Sequence, residues 1–359
     1  MGLLSSYELA NQGLTVRLVE SHHCGREASW AGGGIVSPLN PWNYSDPVNL
    51  LVRFSQGLYP DLVDRLVGES GIDPELIQTG LMVLSEELNL TQTNGTVVET
   101  ATAWAKQYRV ELKEVDQNFI RECQPGIATD VQNGLWMPQV CNVRNPRLLK
   151  ALKTAVSQHP KISVHENTPV VELLLADEKV HGVKTKAESF YADRTVICGG
   201  AWSQQLLAAT EAEVQIWPIL GQMLLYKTPP GRLKTILLEG NRYLIPRKDG
   251  HILVGSTLEN VGFDKATTDD ALIELKAFAQ SMLPLLADYP VIQQWSGLRP
   301  ASPKGIPKIG PVSGYKNLYI NAGHFRNGVV MAPGSVQLLV EQILGRSSSL
   351  DITPYQSVS

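Results

Sequence analysis

Apolar positions change their period once within the first twenty residues. Leu3, Leu4, Tyr7, Leu9 and Ala10 recur at helical spacing, Gly13 interrupts, and Leu14, Val16, Leu18 and Val19 read as a strand ending on Glu20. A second helical pattern covers 48–67 and stops at "SGIDP"; residues 76–142 mix short strands such as "GLMVLSE" with a helix around 97–108. In "NVRNPRLLKALKTAVSQHP", Asn145 suits a helix cap, Pro146 the first turn, and Leu148, Leu149, Leu152 and Val156 share one face. "KISVHE", "PVVELLLAD" and "VHGVKTK" predict three strands with a charged hairpin turn at 177–179, and "SFYADRTVICGGAWS" a buried strand running into Gly199 and Gly200. A β-rich block follows over 214–254, then a helix over 268–286. The last segment reads as a strand ("NLYINA"), a glycine turn and a helix ("SVQLLVEQILG").

A helix, a turn, a strand and a terminal acid make up the later part of a dinucleotide-binding βαβ unit. Gly2 opens the helix and lies eighteen residues before Glu20, which suits the third glycine of G-x-G-x-x-G. The strand and the first two glycines of that motif do not precede it, so an ordinary helix–strand pair with an incidental glycine accounts equally well for these twenty residues. Similar elements recur in the middle and at the end of the chain. One nucleotide domain interrupted by a β-rich domain is the economical arrangement, with no internal repeat and no low-complexity linker.

Composition narrows the function. The 359 residues are 43% apolar, enough for one large domain or two closely joined ones, and the net charge of -4 with no basic run argues against nucleic acid or an anionic membrane as partner. No stretch approaches the ~18 uninterrupted apolar residues of a membrane span. Cys24, Cys123, Cys141 and Cys198 lack metal-site or disulfide spacing. The pattern is that of a cytoplasmic protein without metal.

Three late segments carry residues that are costly to bury. In "NRYLIPRKDGHILVGSTL" a hairpin can turn Tyr243 and Leu258 to one cavity; "WSGLRPASPKGIPKIG" holds Arg299 in a Gly/Pro loop; "NAGHFRNGVVMAPGS" holds Arg326 in a glycine-bounded turn. A single arginine is ordinarily solvated or salt-bridged. Two in apolar loops point to an anion, and a carboxylate matches the guanidinium fork. His324 has neither triad partners nor a metal-spaced second histidine, so it reads as structural. "SWAGGGIV" places three glycines in a row, tolerable where backbone lies flush against a flat ligand.

Taken together, "GREASWAGGGIVSP", "YLIPRKDGHILVGST", "WSGLRPASPKGIPKIG" and "GHFRNGVVMAPGS" resemble the FAD-dependent amino acid oxidases of the D-amino acid oxidase superfamily, and within it the glycine oxidase group, over nearly the whole chain. The resemblance implies an α/β fold with an α+β substrate domain: an FAD-binding Rossmann-like domain lacking its first strand (1–75, 143–207, 296–359), with an inserted antiparallel β-rich substrate domain (76–142, 208–295). It implies non-covalent FAD, because no cysteine follows Cys198 to attach it. The residues implied for the cofactor are Gly2, Glu20 and Ser21 at the ribose end; Ala28, Ser29, Gly32, Gly33 and Gly34 beside the flavin; Val170 at adenine; Gly199 and Trp202; and His324, Phe325, Arg326, Asn327, Gly328, Val329 and Val330 beneath the ring. Arg299, Tyr243, Arg326 and Leu258 are implied for the substrate, with no protein residue acting as general base.

The implied reaction is oxidation of glycine, a small D-amino acid or an N-methyl amine, with hydride passing to FAD and O2 giving H2O2. A relative passing electrons to a quinone, and a remnant holding no FAD, are the alternatives. A homo-oligomer is left open. Leu258 and Gly34 stand where the family has methionine, Trp30 is bulkier than usual, and Arg242 adds a charge suited to an acidic or longer substrate. Measured against the family about a dozen residues are lacking at the start, which implies that Met1 is an internal methionine of a longer product.

Overall fold

Gly13, at φ 94°, makes the turn from the helix Gly2–Asn11 into the strand Val16–Val19. We describe residues 1–84, 96–128, 130–210 and 212–356 of a computed structural model. The first strand runs parallel to Ile162–His165, with Val16 beside Ile162. A second parallel pair joins Thr195–Ile197 to Leu318–Ala322, whose other edge takes Lys308–Pro311 antiparallel. Among the described residues, Val16–Val19 and Thr195–Ile197 each have one strand partner only. Val170–Ala176, Lys179–Thr185 and Ser189–Tyr191 form a small antiparallel sheet. Its first hairpin turns through Asp177 and Glu178, at φ 49° and 57°, the left-handed pair that suits a right-twisted ribbon.

The β-rich segments build one eight-stranded sheet, in the order Val291–Ala301, Trp217–Lys227, His251–Gly255, Arg242–Pro246, Ile236–Glu239, Leu81–Leu84, Asn133–Met137 and Lys113–Asp116. It is not wholly antiparallel as expected: Ile236–Glu239 pairs with Leu81–Leu84 in parallel, and this is where the two segments join. Leu224, Leu237, Leu244 and Val254 pack on one face against Leu275 and Phe278 of the helix Asp269–Met282. Thr268 caps that helix by accepting from the Ala271 N–H at 3.3 Å. Ser85 and Glu86 of "GLMVLSE" lie outside the described residues.

Three local expectations are corrected. Arg299 lies within the eleven-residue strand Val291–Ala301, not in a loop; its partner Trp217–Lys227 is also rich in large apolar residues, and this pairing overrides the turn signals of Gly297 and Pro300. The helix Asn145–Gln158 has Arg144 at its cap position, and Asn145 instead donates to Ser29 O at 2.7 Å and Gly32 O at 2.8 Å. The closing helix begins at Gly328, well before the expected Ser335, and runs Gly328–Ile343 through Pro333.

Pro333 has no N–H for the carbonyl of Val329, four residues earlier. The Tyr59 hydroxyl, on the helix Asp46–Ser70, donates to that oxygen instead, and Ser55 Oγ accepts the next N–H, from Gly334, at 3.0 Å. The two helices share the larger core, with Leu51, Val52, Val336 and Leu339 buried between them. Tyr59 is 1% exposed, so Tyr59→Phe leaves a buried carbonyl unsatisfied. The expected loss is about 1–3 kcal/mol of stability, read from the urea midpoint, with little change in core packing.

Candidate active site

One cavity of about 1370 Å³ runs through the molecule, larger than the ~300–1,000 Å³ typical of small-ligand pockets. At one end it is walled by Gly2, Glu20 and Ser21, with Val170 across from them. Glu20 follows its strand directly and accepts from Ser21 Oγ and the His22 N–H, both at 3.0 Å. A Cβ on Gly2 would stand 3.4 Å from Leu18 Cδ1, an ordinary contact, so helix–strand packing does not itself demand a glycine there. Gly199 and Trp202 line the middle. Ala28, Ser29, Gly32, Gly33 and Gly34 line the inner end, opposite Tyr243, Arg299 and the turn carrying His324, Phe325, Arg326, Asn327, Gly328 and Val329.

Arg299 is the chemically pointed group of this inner end. Its guanidinium donates to Leu220 O and Thr257 O, each at 3.2 Å, and to Ser256 Oγ at 2.7 Å. These bonds use at most three of five N–H groups, and no carboxylate among the described residues joins them. Burial pushes its pKa down and Arg326 adds to this, while Tyr243 works the other way. Gly221 makes the seat possible: a Cβ there would lie 1.9 Å from Arg299 Nη1. Gly255 does the same for Tyr243, whose ring stands 2.9 Å from the place of its missing Cβ. Neither glycine carries a sequence signal, since each needs a neighbour from another strand to explain it.

Three expected participants are elsewhere. Leu258 is 50% exposed and off the cavity wall. Glu259 exchanges backbone hydrogen bonds with Leu220, and Thr257 Oγ1 accepts from the Gln222 N–H, so the side chain between them is turned outward. Val330 is buried in the helix core, because the turn of the helix carries it away from the cavity that Val329 lines. Arg242 pairs with Glu274 on the outer helix, not with the cavity. Trp30 packs edge-on against Trp295 with ring centres 6.1 Å apart. Arg326 does reach the cavity, its fork anchored on Asn241 Oδ1 at 2.6 Å.

His324 is structural. It is 2% exposed, and Nε2 lies 2.8 Å from Ser335 Oγ, which itself donates to Asn321 Oδ1 at 2.6 Å. His324 Nε2 and Ser335 Oγ share one hydrogen bond, whose direction follows the imidazole tautomer. Burial pushes the imidazole pKa down to about 3, leaving it neutral. Beside it, the closing helix starts without a side-chain cap, so the first N–H groups of its positive end open to the cavity.

The triple glycine is held from behind rather than merely flexible. Asn145 takes the Gly32 carbonyl and Arg247 the Gly33 carbonyl, at 2.8 Å each. A Cβ on Gly33 would meet Ile245 Cδ1 at 2.6 Å, and one on Gly34, at φ 78°, Val143 O at 2.1 Å. Gly34 is therefore demanded by the protein packed behind it, while at Gly33 a Cβ would press on Ile245 and Tyr243. Arg247, Asn145, Gly221 and Ser256 were not legible as site residues.

The lining suits a dinucleotide: Glu20 follows its strand at one end of the cavity, glycine backbone and the start of the closing helix wall the other, and Asn321 Nδ2 and Asn327 Nδ2 beside it are buried with no partner among the described residues. Comparison with known proteins bears on which one. The pattern of the DAO family, FAD dependent oxidoreductase, matches residues 1–342. The chain belongs to that family. It is 45% identical to glycine oxidase of Pseudomonas aeruginosa over 99% of this chain and 95% of that one, and 42% identical to glycine oxidase of Pseudomonas putida with the same coverages. The crystal structure of glycine oxidase from Geobacillus kaustophilus shares its fold, with a TM-score of 0.90 at 24% identity, covering 99% of this chain and 95% of that one. FAD is the cofactor of this oxidoreductase. Among the described residues, no helix is long and apolar enough to cross a membrane.

Two outcomes test this geometry. Gly221→Val drives the Arg299 guanidinium from its seat; carboxylate-ligand affinity should fall at least ~10-fold, since the lost charged hydrogen bonds are worth about 1.5–3 kcal/mol, with FAD still bound. The unfolded chain protonates His324 below its ordinary pKa of 6.5 and the fold does not until about 3, so stability should fall as pH drops through that window. The slope is ~1.4 kcal/mol per pH unit. His324→Gln should flatten it between pH 6 and 5, above where Glu166, lowered to about 2 by Lys153, and Asp249, lowered by its bonds to His251 and Arg144, begin to contribute.

Proposed function

We propose that this flavoenzyme oxidises the carbon–nitrogen bond of glycine, or of a small D-amino acid or N-methyl amine, with dioxygen as the acceptor and hydrogen peroxide as the product. The observation that carries the reading is Arg299, a guanidinium at the cavity's inner end held only by neutral oxygens. A carboxylate completes it with two parallel hydrogen bonds. The names of the relatives agree with a small amino acid. We assign 1–75, 143–207 and 302–359 to the flavin side and 76–142 and 208–301 to the substrate side, the expected boundary at 296 moving to 302 because Val291–Ala301 is one strand of the eight-stranded sheet.

When bound, the flavin accepts hydride from the substrate's α-carbon and returns two electrons to dioxygen. The chain's own work is positional. Arg299 fixes the carboxylate, and Tyr243, buried beside it on Arg242–Pro246, offers its hydroxyl to the same group. Arg326 closes the rim. His324, its basicity lowered by burial, serves to brace the turn that leads into the closing helix. The N–H groups at the start of that helix favour negative charge gathering next to them. Gly32, Gly33 and Gly34 form the opposite wall, and the lack of a cysteine after Cys198 supports non-covalent retention of FAD.

Anaerobic titration of the yellow protein with glycine and a panel of D-amino acids should bleach its visible absorption, and admitting air should restore the colour with peroxide release. Bleaching reversed by a quinone but not by air identifies the dehydrogenase alternative; a protein that stays colourless with added FAD is the non-catalytic remnant. Arg299→Lys should weaken substrate far more than FAD, because a point charge cannot replace a fork. Tyr243→Phe should cost on the order of ~1 kcal/mol of substrate binding, with turnover retained.

A further inference from the structure

Behind the glycine run lies a cation without an acid. Arg247 directly follows the strand Arg242–Pro246 and is 5% exposed. Its guanidinium donates to Asn142 Oδ1, to Val143 O at 3.1 Å and to Gly33 O at 2.8 Å, all neutral acceptors. The nearby carboxylates serve another partner: Arg144 holds Asp249 at 2.9 Å and Glu75 at 3.4 Å. Burial, with Arg144 as the second cause, pushes the Arg247 pKa down to about 10, so the group is charged at neutral pH. An unpaired buried charge is costly, and an amide side chain would bridge the same carbonyls without that cost.

Its geometry gives the charge a use. Arg247 stands outside the large cavity, in the wall of a separate recess of about 100 Å³. A planar trans peptide points its C=O and N–H in opposite directions. With the Gly33 carbonyl drawn back to Arg247, the N–H of Gly34 faces forward, into the cavity that Gly34 lines, and it finds no acceptor among the described residues. Val143 returns the next contact by donating to Gly34 O at 2.8 Å, so the peptides on both sides of Gly34 are fixed.

We propose that Arg247 is a positioning residue for the flavin: it locks the peptide joining Gly33 to Gly34 with its N–H toward the ring, and holds behind that peptide a positive charge that favours the reduced cofactor. The inference rests on FAD occupying the cavity, and goes beyond it in assigning the loop's orientation and part of the flavin's redox balance to a residue that touches neither substrate nor cofactor.

Two variants separate charge from packing. Asn142→Asp sets a carboxylate where Oδ1 already accepts from Arg247, and the Thr79 hydroxyl, now the acceptor from Asn142 Nδ2 at 3.0 Å, can turn to donate. The loop keeps its anchor while the charge is cancelled. In dye-equilibrium titrations the variant's flavin should shift about tenfold toward the oxidised form, ~30 mV for a two-electron couple, with FAD affinity within about twofold of wild type. Arg247→Lys keeps the charge but loses the fork; its FAD dissociation constant, by fluorescence titration, should rise at least ~10-fold while the apoprotein's urea midpoint is preserved. An unchanged potential in Asn142→Asp, or unchanged FAD affinity in Arg247→Lys, overturns the proposal. Wild-type protein that binds no FAD overturns the flavin reading and this inference together, whereas wild type that binds FAD beside indifferent variants overturns this inference alone.

Discussion

Arg299 holds its charge in a place where the described residues supply neutral oxygens and no carboxylate. That deficit organises the inner end of the cavity. The guanidinium is not solvated enough to be content with water and not paired enough to be closed to a ligand, so the site is biased toward an anion before any ligand arrives. Its seat depends on the long pairing of Val291–Ala301 with Trp217–Lys227, which sets Arg299 opposite Ile219 and lets Gly221 leave room for the charged head. A side chain at 221 or a shift in that register would remove the feature while leaving the sheet itself intact.

The residues that announce chemistry in the sequence are those whose type alone is unusual for its setting: Arg299 and Arg326 among apolar neighbours, Tyr243 in a hairpin, three glycines in a row. The structure gathers all of these around one cavity. Residues that act by making space or by holding backbone were silent. Gly221 and Gly255 are ordinary strand glycines until their cross-strand neighbours are known. Asn145 carries the signal of a helix cap and uses its amide on a distant loop instead. Leu258 read as inward because hairpin alternation was extended past Gly255, where bonds to Leu220 and Gln222 turn the chain.

At the level of elements, long periodic segments were readable and competing signals were not. The helix Asn145–Gln158 and the hairpin through Asp177 follow from local pattern. The first turns of the closing helix did not, since Pro333 and Gly334 in succession speak for a turn; a tyrosine and a serine from the helix Asp46–Ser70 compensate the backbone there, and no reading of the segment by itself contains them. The triple glycine lines the cavity, and a flat ligand is not the whole reason for it: at Gly34 a positive φ and the close Val143 and Asn145 atoms already exclude a side chain.

The parallel pairings have a kinetic consequence. Val16 lies beside Ile162, Thr195 beside Leu318 and Leu81 beside Ile236, so each parallel contact must wait for a distant part of the chain to be made or unfolded into place. Loop-closure entropy is then spent before these strands gain a partner, a topology that folds slowly and leaves strand edges open to wrong neighbours meanwhile. The large sheet is hit hardest, because its two halves meet only at that last contact. Assembly of the eight-stranded sheet is thereby tied to synthesis of the chain through Ala301, and shorter chains are expected to aggregate rather than fold in pieces.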